Sequence, residues 1–125
     1  MVLSLWGGLS QINGDLFQFS RGSSFAASEE NRLRGLLSQA LPDERIHITI
    51  VAHTGNSGDA SANLALSEDR AELVYTIATN LGIDAYRITA RGVGGSAPLP
   101  KSEGESDRAY QSRLARVEVS LQMRK

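Results

Sequence analysis

ITIVAHTGNSGDASANLALSEDRA, residues 48 to 71, is the stretch whose reading decides the fold. It opens as a strand. Ile46, Ile48, Ile50 and Ala52 fall on one side, and His47, Thr49, Val51 and His53 on the other, the period of two of a half-buried strand over residues 45–53. Residues 54–62 are rich in Gly, Asn, Ser and Asp and read as a loop. A helix is then expected from about residue 63 to 81. Leu66, Leu73, Val74, Ile77 and Leu81 form its apolar stripe, and Gly82 stands where a glycine stops a helix.

Outward from this unit, the rest of the chain falls into the same kinds of element. Residues 15–20 (DLFQFS) read as a short aromatic strand. Ser28 is a suitable N-cap, Glu29 and Glu30 suit a first turn, and Leu33, Leu36, Leu37 and Ala40 line one helical face before Pro42 and Asp43 end it. Residues 86–90 (YRITA) read as a strand. Residues 92–106 form a long polar loop in which the glycines of residues 92–95 read as turn-formers, residues 107–115 can start as a helix, and residues 116–123 (RVEVSLQM) alternate as a last strand. The order β-α-β-α-β-(α)-β predicts an α/β sandwich: a mixed four-stranded sheet packed by helices. Residues 1–14 are expected to be a lead-in or linker stub, with Leu3, Leu5 and Trp6 as its apolar contacts, and residues 15–125 the domain.

Bulk properties exclude several functions. With 125 residues the chain supports one compact domain. A net charge of -1, with both signs interspersed, argues against general binding to a phosphate backbone, so no nucleic-acid partner is expected. The absence of cysteine removes disulfides, thiolate metal sites and a cysteine nucleophile. The only two histidines, His47 and His53, lie roughly 20 Å apart along an extended strand, too far to share a metal. G-x-S-x-G is absent, and residues 92–95 lack the Lys-Ser/Thr of a phosphate loop. Glu103, Glu105 and Asp107 read as a solvated surface. No catalytic, metal or cofactor site is expected. No apolar run approaches the ~20 residues that span a bilayer, and the first residues lack the basic start of a signal peptide.

Arg70 is the unusual residue. It lies three, four and seven positions before Leu73, Val74 and Ile77, on the buried stripe of its own helix. It is also near the helix N-terminus, where the macrodipole disfavours a cation and free N–H groups attract an anion. A guanidinium so placed needs a carboxylate. Geometry leaves two sources equally open: an internal partner (Glu68, Asp69, Asp59 or Glu118) or a ligand.

The motifs carry a resemblance. His53, Thr54 and Gly58, then Asn63, Leu66, Ser67, Arg70 and Ala71, then Gly82 and Ile83, Arg87 and Ile88, Gly92, Gly94 and Pro98, and finally Arg116, Val117 and Glu118 stand in one register. The pattern covers residues 15–122 and resembles the OmpA-like C-terminal domain family. That family includes the peptidoglycan-associated lipoprotein and the C-terminal domain of the MotB flagellar stator. The resemblance implies non-covalent, non-catalytic binding of peptidoglycan. A diaminopimelate carboxylate of the peptide stem would go to Arg70 and nearby backbone N–H groups. Asn63 and Ser67 would hold the loop, with Thr54 beside them.

Two departures from the family pattern stand out. Gly55 occupies the position of the aspartate that receives the ligand's ammonium, and Leu114 and Ala115 replace two polar residues before Arg116. Asp59, four residues on in the same loop, is the first candidate substitute, and Asp69 the second. The expected function is a periplasmic cell-wall-anchoring module of an envelope assembly such as a secretion system, a stator or an outer-membrane protein. Its tether to the inner or outer membrane would lie outside this chain, and other subunits of the assembly would be its partners. The alternative is a domain of the same fold that has lost the site and serves as an interaction or homodimerisation scaffold.

Overall fold

A computed structural model describes residues 9–20 and 22–124. The expected contacts of Leu3, Leu5 and Trp6 lie outside the described residues. The elements run β1 (Leu9–Gln18), α1 (Ala27–Ser38), β2 (Ile46–Ala52), α2 (Ala60–Asn80), a 3-10 turn (Ala85–Arg87), β3 (Ile88–Gly92), α3 (Asp107–Leu114) and β4 (Arg116–Arg124). The strands form one sheet in the order β1-β4-β2-β3. β4 is antiparallel to both β1 and β2, while β2 and β3 are parallel and joined through α2. This is the expected mixed four-stranded sheet and α/β sandwich.

The period-two pattern of β2 is realised as alternating buried and half-buried residues. Ile46, Ile48, Ile50 and Ala52 meet Val117, Val119 and Leu121 of β4 in one core with Phe17, Leu33, Leu37, Val74 and Ile77. Burying a side chain of that size contributes about 1.5–3 kcal/mol, so this layer holds the helices to the sheet. The opposite face presents Thr49, Val51, Glu118, Ser120 and Gln122.

Several boundaries differ from expectation, each for a local reason. β1 begins at Leu9 rather than Asp15, because residues 9–14 continue the ladder with β4. A register shift between Gln11 and Asn13 breaks their alternation and hides them as a strand. The cap of α1 lies two residues before the expected one: the N-cap is Ala26, whose carbonyl accepts the Glu30 N–H, and Ser28 lies inside the helix. Glu29 instead turns to β1, accepting the Gln18 N–H and pairing with Arg32. α2 begins at Ala60, capped by Asp59. Its end is as expected: Gly82 has φ +105, its N–H reaches the Thr79 carbonyl and the Ile83 N–H the Ala78 carbonyl. β3 starts at Ile88, not Tyr86, because residues 85–87 first make a 3-10 turn that turns Arg87 inward. There Arg87 donates to the carbonyls of Ala40, Ile46 and Asp43.

The acidic cluster of residues 103–107 is more than a solvated surface. Glu105 takes both Nε and Nη2 of Arg113 at 2.9 Å, and Asp107 pairs with Lys101. The Arg113 hydrogen bonds hold the Glu105 carboxyl down to about 2. Arg113 also donates to the Pro100 carbonyl, so α3 pins the long loop. The stabilisation from Glu105 is complete above the ordinary 4.5 and is lost as the pH falls toward 2. Titration of the Glu105 side chain by NMR is expected to show a midpoint near 2, and Arg113→Leu to raise it toward the ordinary carboxylate range, with the Ser102 N–H still holding it partly down.

Candidate functional site

Arg70 is 5% exposed. Its Nε donates to the Gly22 carbonyl at 2.7 Å and one Nη to the His53 carbonyl at 3.1 Å. The guanidinium lies 4.6 Å over the Phe19 ring, which stacks on Phe25. The ion pairs among the described residues never include Arg70. Asp59 caps α2, and Glu118 is taken by His53 and Arg116. The internal-partner alternative for Arg70 is thereby corrected. Two carbonyl dipoles and an aromatic face attract the cation, but no carboxylate among the described residues pairs with it. Burial alone lowers its pKa from the ordinary value, the direction expected of a desolvated cation with no anion beside it.

The other sequence-predicted residues shape the loop rather than contact Arg70. The Thr54 N–H donates to the Gly94 carbonyl and its hydroxyl to the Gly55 carbonyl. Asn63 Nδ2 donates to the Ser57 carbonyl, closing the loop onto the helix. Ser67, fully buried, receives the Gly94 N–H on its hydroxyl. Asp59 Oδ2 accepts from Ala62 N and Ser61 Oγ, which lower its pKa. Asn63 also borders an open groove with Asn56, Gly58, Leu64 and Gly95, a groove of which Arg70 is not a wall.

The glycines after β3 do more than turn. Of Gly92, Gly94 and Gly95, only Gly94 has the positive φ of a turn-former, at +58. A Cβ on Gly92 would lie 2.3 Å from Glu68 N, and one on Gly95 2.7 Å from Asn56 Cα. Backbone therefore presses on backbone where this loop meets α2 and the 54–58 loop.

Behind the loop lies a second polar cluster. His53 Nε2 meets Glu118 Oε1 at 3.0 Å, and Arg116 Nε donates to the other Glu118 oxygen at 3.1 Å. Arg116 also donates to the Leu114 and Ala97 carbonyls. His53 Nδ1 is buried without a partner among the described residues. Burial first, then the Arg116 charge, lowers the His53 pKa below its ordinary 6.5, with Glu118 opposing. Below pH 6.5 the unfolded chain gains a proton that the folded imidazole resists. The contribution to stability is therefore full above 6.5 and falls with pH until the folded value is passed. Thermal melts are expected to show a lower Tm at pH 5.5 than at 7.5, with a smaller difference in His53→Gln.

Sequence reasoning missed three residues of the site. Phe19 shares Phe17's side of the strand by alternation, which is the signal for it. Gln111 stands three residues before buried Leu114 and so on the inward face of α3. Its Oε1 accepts the Asn56 N–H at 2.8 Å, and its Nε2 donates to Asn56 Oδ1 at 2.6 Å. Asn56 itself carried no local sign of that pairing.

The chain matches the model of the OmpA family over residues 17–112. It is 30% identical over 109 residues to the outer-membrane lipoprotein YfiB of Pseudomonas aeruginosa, covering 75% of this chain and 65% of that protein. The OmpA-like domain of FopA1 from Francisella tularensis superposes with a TM-score of 0.75 at 19% identity, covering 97% of this chain and 78% of that one. The peptidoglycan-associated lipoprotein of Burkholderia pseudomallei gives 0.70 at 22%, covering 86% and 88%. The chain spans between 9% and 65% of the length of the curated relatives it matches. No helix among the described residues is long and apolar enough to cross a membrane.

Proposed function

The chain belongs to the OmpA family, and we propose that it is a non-catalytic module that holds peptidoglycan by seating a stem-peptide carboxylate on Arg70. The observation that carries this reading is Arg70 itself, a buried guanidinium bound to two carbonyls and an aromatic ring but to no carboxylate among the described residues. A buried charge without its partner is costly, and a ligand carboxylate would offset that cost. Asn63 and Thr54 support the reading by fixing the 54–58 loop, Ser67 by holding Gly94 of the next loop, and Asp59 by fixing the start of α2. A solved structure of similar fold is named as peptidoglycan-associated. His53 supports a binding role over a chemical one, because one ring nitrogen is tied to Glu118 and the other is buried. The module would work in the periplasm, tethering a larger envelope assembly to the wall.

Co-sedimentation with purified diaminopimelate-type sacculi tests the proposal. Wild type is expected in the pellet. Arg70→Ala, with an unchanged circular dichroism spectrum, is expected in the supernatant. Equal pelleting of the two would remove Arg70 from the site. A wild type that stays in solution would favour an interaction scaffold, the reading that Gly55 suggests.

A further inference from the structure

We propose that the groove between α2 and the free edge of β3 takes an extended segment of a partner protein, added to the sheet beside β3 with lysine or arginine side chains set against Glu68 and Glu72. The sheet order leaves β3 at one end, with only β2 as its neighbour among the described residues. The two strands run parallel, and the Val93 N–H donates to the Ala52 carbonyl. By the alternation of such a ladder, Arg91 and Val93 face β2, while Ala90 and Gly92 turn their N–H and C=O groups outward. No loop or turn backbone among the described residues pairs with those groups. Thr89, Ala90 and Arg91 are exposed. An open edge of this kind is a template for a further strand.

Charge selects the occupant. Glu68, Glu72 and Tyr75 stand at i, i+4 and i+7 on one face of α2 and border the groove opposite Ala90 and Gly92. Both carboxylates are exposed, and the ion pairs among the described residues include neither. Asp69, also exposed on α2, adds charge of the same sign. Arg91 is the one cation bordering the groove. Its register with Val51 sets its side chain on the sheet face away from the helices, where the two residues line a separate pocket. The helix wall therefore offers two unpaired carboxylates beside an aromatic ring, a setting that attracts lysine or arginine. A second copy of this chain fits poorly. Antiparallel pairing of β3 with its own copy would put both α2 helices on one face and set Glu68 and Glu72 against the same residues, and like charges oppose. Arg70 does not border this groove, so the strand site works independently of the carboxylate site.

The test is an NMR titration of the isotope-labelled whole chain with the peptide acetyl-Thr-Lys-Val-Lys-Val-Lys-Thr-amide. Saturable shifts of the Ala90 and Gly92 amides are expected. The double variant Glu68→Gln/Glu72→Gln, changed only at exposed side chains, is expected to keep the wild-type circular dichroism spectrum and to bind roughly tenfold or more weaker. The same peptide with glutamate for lysine, and one N-methylated on alternate residues so that it cannot pair with an edge, are each expected to bind roughly tenfold or more weaker too. Arg70→Ala is expected to bind the lysine peptide as wild type does. Absence of binding, Ala90 and Gly92 amides that stay in place while the peptide binds, or equal binding of the glutamate or N-methylated peptide would overturn the proposal. Shifts of the same two amides with protein concentration alone would overturn it in favour of a second copy at the β3 edge.

Discussion

Gly92→Ala is expected to destabilise the domain by about 3 kcal/mol or more, the upper end for forcing atoms into a packed interior. The added Cβ would stand 2.3 Å from Glu68 N, 2.4 Å from the Ser67 carbonyl carbon and 2.5 Å from Ser67 Oγ. The first two are helix backbone and cannot rotate away. Relief requires α2 to withdraw from the end of β3, which loosens Ser67 from the Gly94 N–H and opens the contact of Ala71 and Val74 with the sheet. Gly35→Ala is the matched control. Gly35 lies inside α1 with nothing within 4 Å of its would-be Cβ, so alanine is expected to stabilise by roughly 0.5–1 kcal/mol through helix propensity. Urea unfolding of the two variants beside wild type checks both signs. A neutral Gly92→Ala would mean that α2 and β3 do not meet as closely as described.

The two buried arginines of the helix-covered side are expected to part company when each is replaced by methionine. Arg87 is 3% exposed and satisfies three carbonyls where the end of α1 turns into β2. Arg87→Met orphans those carbonyls, at about 1–3 kcal/mol for each that stays dry, so a total of roughly 3 kcal/mol is expected. Arg70 serves two carbonyls and bears its burial without an anion. Arg70→Met orphans the Gly22 and His53 carbonyls but removes a desolvated charge and keeps an apolar stem against Phe19, so a loss about 1 kcal/mol or more below that of Arg87→Met is expected. Denaturant midpoints of the two variants give the comparison. Equal losses would mean that Arg70 is a structural residue like Arg87.

The parts of the fold legible in the sequence are those where burial is one-sided over several residues. β2 and β4 alternate because only one face of each meets the helices. The α2 stripe follows the helical period for the same reason, although Leu66, Leu73 and Leu81 are only half-buried while Ser67, Arg70 and Ala71 are buried. The small residues at the start of that helix let α2 sit close to β3, so its buried face is less apolar than the stripe suggested. Its first turn, Ala60 to Ala62, looked like loop because small polar residues suit both, and only the Asp59 cap distinguishes them. β1 was half hidden by its irregular register. Arg70 was legible as a misplaced cation, but its want of an internal carboxylate was not, because pairing depends on where Asp59 and Glu118 are spent. Gln111 could not be linked to Asn56 from spacing: it reaches that residue across 55 positions of chain.

The most direct test of the Arg70 site is an NMR titration of the labelled chain with soluble diaminopimelate-type muropeptides. Saturable shifts are expected of the Arg70 Nε–H and of the amides of Thr54, Gly55 and Asn56, with Thr49, Ser120 and Gln122 on the opposite sheet face unmoved. Shifts confined to that opposite face, or an Arg70 Nε–H that stays fixed while the muropeptide binds, would contradict it.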